Sequence, residues 1–235
     1  MVRIAKKKSL GSKKKLDYNN MKKKKVRRRG FRPLLHLRFH SMEARQLILA
    51  SRSPRRIGLL KMLGCNFEII PSKIEEKIDS NLSPIENVKN ISRLKAIDVA
   101  SRVSSGIIIA ADTDNVLKGE ILGKPKNKKE AREMLRKTSG KIQQVITVIT
   151  VMDAKTKKML QDTIVTKVKF RKLNYNLIER YLNCGENLLD KAGAYAIQGK
   201  GALLIESIKG DYFNVVGLPL NALNKLLEKF GVSLM

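Results

Sequence analysis

Histidine and cysteine are both scarce in this chain. Two histidines, His36 and His40, lie near the start, and two cysteines, Cys65 and Cys184, are far apart. Without a histidine beyond position 40, a Ser-His-Asp hydrolase triad and a histidine-rich metal site have no material in the remaining sequence. Two cysteines are too few for a disulfide framework or a four-cysteine zinc site. They read as small core or surface residues of a reducing compartment, and the expected location is cytoplasmic. Uncharged apolar runs never approach the ~18 residues of a membrane span, which excludes a spanning helix. No G-x-x-x-x-G-K-[ST] pattern occurs, so a P-loop enzyme is not expected. Internal repeats and long internal linkers are also missing.

Acidic residues are the next shortage. The 235 residues carry 49 Lys/Arg against 21 Asp/Glu, a formal charge of +28. Excess of this size points first to nucleic acid, but it is unevenly spread. Residues 1–41 hold 16 Lys/Arg and one acid, Asp17. Residues 42–235 hold the other 33 basic and 20 acidic residues, a net of +13. Dense like charge with few large apolar residues cannot repay the entropy of ordering, so 1–41 is expected to be a disordered basic leader. Two readings of it stand. It is an arm that binds nucleic acid or an anionic membrane by releasing counterions, or an extension upstream of a true start at Met42. No apolar segment follows it, so it is not a secretory signal. At 43% hydrophobic residues the whole chain is not disordered, and 42–235 is long enough for one core with lobes around a cleft.

The body alternates strand and helix patterns. Gln46–Ser51 reads as a buried strand, and Pro54 opens a helix with Ser53 as its N-cap and Gly64 beyond its end. Strand, polar turn and helix start together form a site ready for an anion. Asn66–Ile70 reads as a second strand. Ser83-Pro84 opens a helix with an apolar stripe at Ile85, Val88, Ile91 and Leu94, and Lys95 sits beside that stripe, either snorkelling or functional. Gly106–Ala111 is a near-continuous apolar strand that delivers Asp112 and Thr113 at its C-terminal end, where ligands of α/β sheets tend to bind. Further expectations are a helix at 128–137, a strand pair at 143–152 and 162–170, a helix at 174–182, short strands at 192–199 and 202–206, and a closing helix at 219–230.

The chemistry available is carboxylate and cation. Glu75, Glu76 and Asp112 offer hard oxygens that suit Mg²⁺ or Mn²⁺. Lys95, Lys124, Arg52, Arg55 and Arg56 suit phosphate oxygens. Such a set can support metal-assisted attack of water on a phosphoric anhydride. Singly these residues are weak signals, since a lone lysine is usually solvated. Asp112 is stronger, because an ionised group rarely ends a buried run without a partner.

Five segments occur together in order: LILASRSPRRIGLL (47–60), AADT (110–113), LGKP (122–125), DKAGAYAIQG (190–199) and GDYFNVVGLPL (210–220). Over residues 46–231 the chain resembles the Maf family of nucleotide pyrophosphatases, which cleave nucleoside triphosphates to the monophosphate and pyrophosphate. The resemblance implies an α/β fold with a twisted mixed sheet, flanking helices and two lobes around a deep cleft, akin to inosine-triphosphate pyrophosphatases. It also implies a divalent cation, Mg²⁺ or Mn²⁺, and a homodimer. Matched position by position, Ser51 and Arg55 face the phosphates, as do Lys95 and Lys124. Asp112 is general base and metal ligand, and Glu76 helps hold the metal. Arg56, Thr113 and Gln198 match the family type that prefers dTTP and UTP, rather than the type that prefers 7-methyl-GTP. A buried glutamine amide would offer a donor and an acceptor to a uracil or thymine edge.

The chain departs from the pattern at Asp114-Asn115, where apolar residues usually follow, and at Arg52. Asp114 either adds a second acid near the metal or ends the strand early. Two alternatives to dTTP/UTP hydrolysis remain. One is a nucleic-acid-binding or septum-regulating protein with a degenerate site, and the other is a hydrolase of modified nucleotides.

Overall fold

A computed structural model describes residues 45–235. The leader expected at 1–41, with its nucleic-acid reading, therefore lies outside the described residues. In chain order the elements are β1 (Leu47–Leu49), α1 (Pro54–Met62), β2 (Phe67–Ile69), α2 (Pro84–Ala100), β3 (Ile107–Leu117) and β4 (Glu120–Ile121). Next come α3 (Lys128–Thr138), β5 (Ile142–Asp153), β6 (Met159–Phe170), α4 (Tyr175–Leu182), β7 (Ile205–Lys209), α5 (Tyr212–Val216) and α6 (Leu220–Glu228). The seven strands form one mixed sheet in the order β2-β1-β3-β5-β6-β7, with β4 paired to β3. β1 runs parallel to β2 and β3, and the β3–β5–β6–β7 ladder is antiparallel. This is the mixed α/β architecture expected.

The helix signals act as their chemistry requires. Ser83 and Glu86 close a capping box around Pro84 at the start of α2, satisfying two otherwise orphaned donors. Asn127 and Asn174 cap α3 and α4 through their side-chain oxygens. Ser53 stands at the N-cap of α1 without a side-chain cap bond. Its backbone N–H is instead taken by Ser51 Oγ.

Four expectations are corrected. The apolar stripe of α2 is not 85/88/91/94, because Ile85 and Leu94 are exposed. The buried face runs through Val88, Ile91, Ser92, Lys95, Ala96 and Val99, so Lys95 points into the sheet. The strand through Gly106–Ala111 does not end at Asp112; it continues to Leu117, because β5 offers an unbroken antiparallel partner from Gln144 to Asp153. Residues 192–194 and 199–204 are 3₁₀ turns rather than strands, and strand structure begins only at Ile205. Glycines at 193 and 199 take positive φ there, which breaks an extended path. The short helix α5 was not foreseen.

β3 organises the core through its alternation. Its odd residues Ile107, Ile109 and Ala111 pack with α1 and α6 in one apolar cluster. Its even residues Ile108 and Ala110 pack with Ala96, Val99 and Ala100 of α2. Each fully buried isoleucine contributes roughly 1.5–3 kcal/mol. After Ala111 both faces turn polar. Asp112 and Asp114 continue the α2 face, and Thr113 and Asn115 continue the other. Beyond them lie two further apolar clusters, around Val88 and Ile146 on one face and around Leu135 and Phe170 on the other. The polar stretch 112–115 thus crosses the molecule between apolar blocks, and a cleft opens there.

Candidate active site

The cleft has a volume of about 700 Å³, within the usual range for a small-molecule site. Of the residues singled out for chemistry in the sequence, Glu75 lies outside the cleft, exposed and paired with Lys77 at 3.0 Å, whereas Ser51, Arg52, Arg55, Arg56, Glu76, Lys95, Asp112, Thr113, Lys124 and Gln198 line it. Of these, Gln198 departs from expectation, since it is exposed rather than buried. It occupies the N-cap of the 3₁₀ turn 199–204, where the chain leaves the cleft wall.

On the α2 face of the sheet, Lys95 is the hub. Its Nζ donates to Asp112 Oδ1 at 2.7 Å and lies 2.8 Å from Glu76 Oε1. The Lys95 and Asp112 side chains are 9% and 8% exposed, so their pair is desolvated. Glu76 comes from the loop between β2 and α2, and its Oε2 lies 4.0 Å from Lys124 Nζ. Burial alone would raise the Glu76 carboxyl, but Lys95, then Lys124 and Arg56, outweigh it and hold it below its ordinary range. Asp114 shares this face and the same cleft. Its carboxyl is pushed up to about 7, first by burial and then by the negative charges of Asp112 and Glu76. The continuing strand therefore resolves the alternatives for Asp114: it is a further acid on the face of Asp112.

On the opposite face, Arg56 is almost fully buried. Its Nε donates to Gly217 O at 2.8 Å, Nη1 to Ser51 Oγ at 3.3 Å and Nη2 to Thr113 Oγ1 at 3.1 Å. Burial lowers its pKa from the ordinary value, against the attraction of Asp112 and Glu76. Three of five guanidinium N–H groups are thus used, leaving two for a ligand. Proton directions along the next links are forced. Thr147 Oγ1 lies 3.2 Å from the carbonyl of Asn214, which can only accept, so Thr147 donates there. Thr113 Oγ1, 2.9 Å from Thr147 Oγ1, must then donate to it. Thr113 is left with acceptor capacity only towards the cleft. Gly217 closes this corner at φ 119, a conformation that favours glycine.

The 190–198 wall is tied to the sheet from behind. Asn115 Nδ2 donates to Ala192 O at 2.5 Å, Gly193 N to Gly123 O at 2.7 Å and Gln143 Nε2 to the Tyr195 hydroxyl at 2.6 Å. Tyr181 accepts from Ala196 N at 3.3 Å. Sequence reasoning missed Thr147, Asn214, Gly217 and the Gln143–Tyr195 bond. Asn214, Gly217 and Tyr195 lie within two of the five segments that carry the resemblance, but their roles do not show there, because each acts through a partner more than 50 residues away.

The donor chemistry fits a hard divalent cation. Asp112 keeps one carboxylate oxygen outside its bond to Lys95, and Asp114 keeps both. Among the described residues no three His, Cys, Asp or Glu are gathered closely enough to hold a metal alone. Mg²⁺ commonly takes one or two carboxylates and completes its shell with phosphate oxygens and water, which suits this open arrangement.

The chain matches the family model described as "Maf-like protein" over residues 46–230. A dTTP/UTP pyrophosphatase of Dictyoglomus thermophilum is 48% identical over 192 residues, 81% of this chain and 99% of that protein. The dTTP/UTP pyrophosphatases of Bacillus pumilus and Methanosarcina mazei are 47% and 49% identical, over 80% of this chain in each case and 98% and 96% of theirs. The solved structure of the Staphylococcus aureus Ham1 protein aligns at 17% identity with a TM-score of 0.46, over 79% of this chain and 99% of that one.

Proposed function

The chain belongs to the family of Maf-like proteins, and on that premise we propose that it hydrolyses dTTP and UTP to the monophosphate and pyrophosphate. The observation that carries this reading is the two-sided cleft. A buried carboxylate–lysine set stands on one face of β3 and a braced Arg56–Thr113–Ser51 corner on the other, in a chain about half identical to dTTP/UTP pyrophosphatases.

In this reading Lys124, Arg55 and the free O–H of Ser51 hold the triphosphate, and the anion-ready turn before α1 receives part of its charge. Lys95 orients Asp112 through the 2.7 Å bond and keeps one oxygen fixed. The other oxygen has two lone pairs, one that would face a bound cation and one that accepts a proton from the attacking water. Water oxygen bonds to phosphorus, the bridging P–O bond breaks, and the pyrophosphate side leaves with the bond's electron pair. Asp112 and Glu76 would hold Mg²⁺ or Mn²⁺, which when bound neutralises phosphate charge and acidifies a coordinated water. Thr113, left only with acceptor capacity, suits the N3–H of uracil or thymine, and the exposed Gln198 amide closes over the base edge. A homodimer in the cytoplasm completes the reading. The free thiols of Cys65 and Cys184 suit such a reducing compartment. Among the described residues no helix is long and apolar enough to cross a membrane.

The test is pyrophosphate release from separate nucleotides with Mg²⁺, with modified pyrimidine triphosphates in the same panel. Release from dTTP and UTP well above that from purine triphosphates is expected, and EDTA abolishes it. Asp112→Asn should lower kcat by about 100-fold or more, and Gln198→Glu should shift preference among bases with smaller loss. A wild-type protein that cleaves no pyrimidine triphosphate refutes the proposal.

A further inference from the structure

Four acids line the cleft: Glu76, Asp112, Asp114 and Asp190. Three are matched. Glu76 and Asp112 share Lys95, and Asp190 meets Lys191 at 2.8 Å. Asp114 is 9% exposed, yet among the described residues no hydrogen bond or ion pair reaches its carboxylate. A carboxylate so far removed from water is costly unless something positive joins it. Asp114 stands two residues after Asp112 on β3, so the two side chains leave the same face of the strand, about 7 Å apart at Cα. That spacing lets one oxygen from each reach a single ion.

The local charge balance points the same way. Glu76 and Asp112 carry two negative charges and Lys95 and Lys124 two positive ones, so these four groups balance without Asp114. Ionised, Asp114 adds a negative charge on this face with no cation of the protein against it, which a metal ion placed between it and the triphosphate would offset. Lys95 already occupies Asp112 Oδ1 and Glu76 Oε1, so it is not free to turn to Asp114 without leaving one of them.

We propose that Asp114 is a direct ligand of the divalent cation, paired with Asp112 on one face of β3, so that the chain's cation site is the Asp112-Thr113-Asp114 run rather than Asp112 and Glu76 alone. The remaining coordination positions belong to water and phosphate oxygens, as is usual for Mg²⁺. The proposal rests on the cleft being a phosphate site for its purpose, but the cation itself can be measured without turnover.

The experiment is Mn²⁺ titration of the full-length, metal-free protein, with free Mn²⁺ read by its electron paramagnetic resonance signal. Asp114→Asn, nearly the same shape, should weaken Mn²⁺ binding by about tenfold or more. Asp162→Asn, an exposed control, should leave it unchanged. In melting experiments the same Asp114→Asn protein should be more stable than wild type without metal, yet gain less from Mn²⁺. A merely structural aspartate would not give these opposite signs. Mn²⁺ affinity within twofold of wild type in Asp114→Asn overturns the proposal, as does a wild type that binds no Mn²⁺ at millimolar concentration. If Asp114→Asn loses Mn²⁺ while the wild type cleaves no pyrimidine triphosphate, the cation site stands and the substrate reading falls.

Discussion

Lys95→Met is the most informative single change to the buried ion pair. Methionine keeps the length and apolar stem of lysine and removes only the ammonium, so the packing of α2 against β3 is little altered. At 2.7 Å the Lys95–Asp112 attraction is about 6 kcal/mol at an effective dielectric of 20. Desolvation of both groups offsets much of this. The quantity measured on deleting one partner is the cost of a buried carboxylate left alone, about 3–5 kcal/mol. Glu76 adds little, because its side chain is 44% exposed and water screens it. The expected loss of unfolding free energy in urea at neutral pH is therefore about 3–5 kcal/mol. The double variant Lys95→Met/Asp112→Asn removes the stranded charge and should recover about 2 kcal/mol of it, a coupling typical of residues in contact. A Lys95→Met protein within about 0.5 kcal/mol of wild type, or a cycle with no coupling, would refute the buried pair.

Other consequences concern the loops that frame the cleft. Asp98 accepts from Lys73 N and from Arg102, tying the 71–74 loop to α2. Burial would raise its carboxyl, but these bonds outweigh burial and hold it below the ordinary range. A depressed carboxyl contributes stability above its unfolded pKa of about 3.9 and loses it as pH falls through the folded value. Asp98→Asn should therefore melt lower than wild type at neutral pH, with the gap closing below about pH 3 in scanning calorimetry. A gap independent of pH would mean the carboxylate charge is not what matters. Gly201→Ala would drive a methyl into Ala196 O and towards the Tyr181 hydroxyl. A cost of about 1–3 kcal/mol and weakened nucleotide binding through the displaced 196–198 wall are expected, measured by denaturation and isothermal titration. Unchanged binding would separate that wall from the site.

Much of this protein was legible in order along the chain. The Ile107–Ala111 run announced a central strand, Ser83-Pro84 announced the start of a helix, and the acid after the apolar run announced the cleft. These signals are local, carried by period, cap chemistry and the cost of burying a charge, so they survive without knowledge of partners. Where reading failed, the deciding term was non-local. β3 runs on through Asp112–Asn115 because β5 supplies a continuous ladder, which no propensity within DTDN could state. Lys95 faces inward because Asp112 and Glu76 meet it there, whereas helical spacing alone placed it beside an apolar stripe that included exposed Ile85 and Leu94. The 190–198 wall takes its shape from Asn115, Gln143 and Tyr181 behind it rather than from its own residues.

The amino-acid sequence by itself thus determined which groups this protein can bring to a phosphoric anhydride: carboxylates, lysines and arginines, with histidine almost absent. Tertiary structure alone decided which of them share a face. Strand alternation sends Asp112 and Asp114 to the side of Lys95 and Thr113 to the side of Arg56. That division depends on a register set by pairing with β5, dozens of residues away, and register is fixed only when the sheet is assembled.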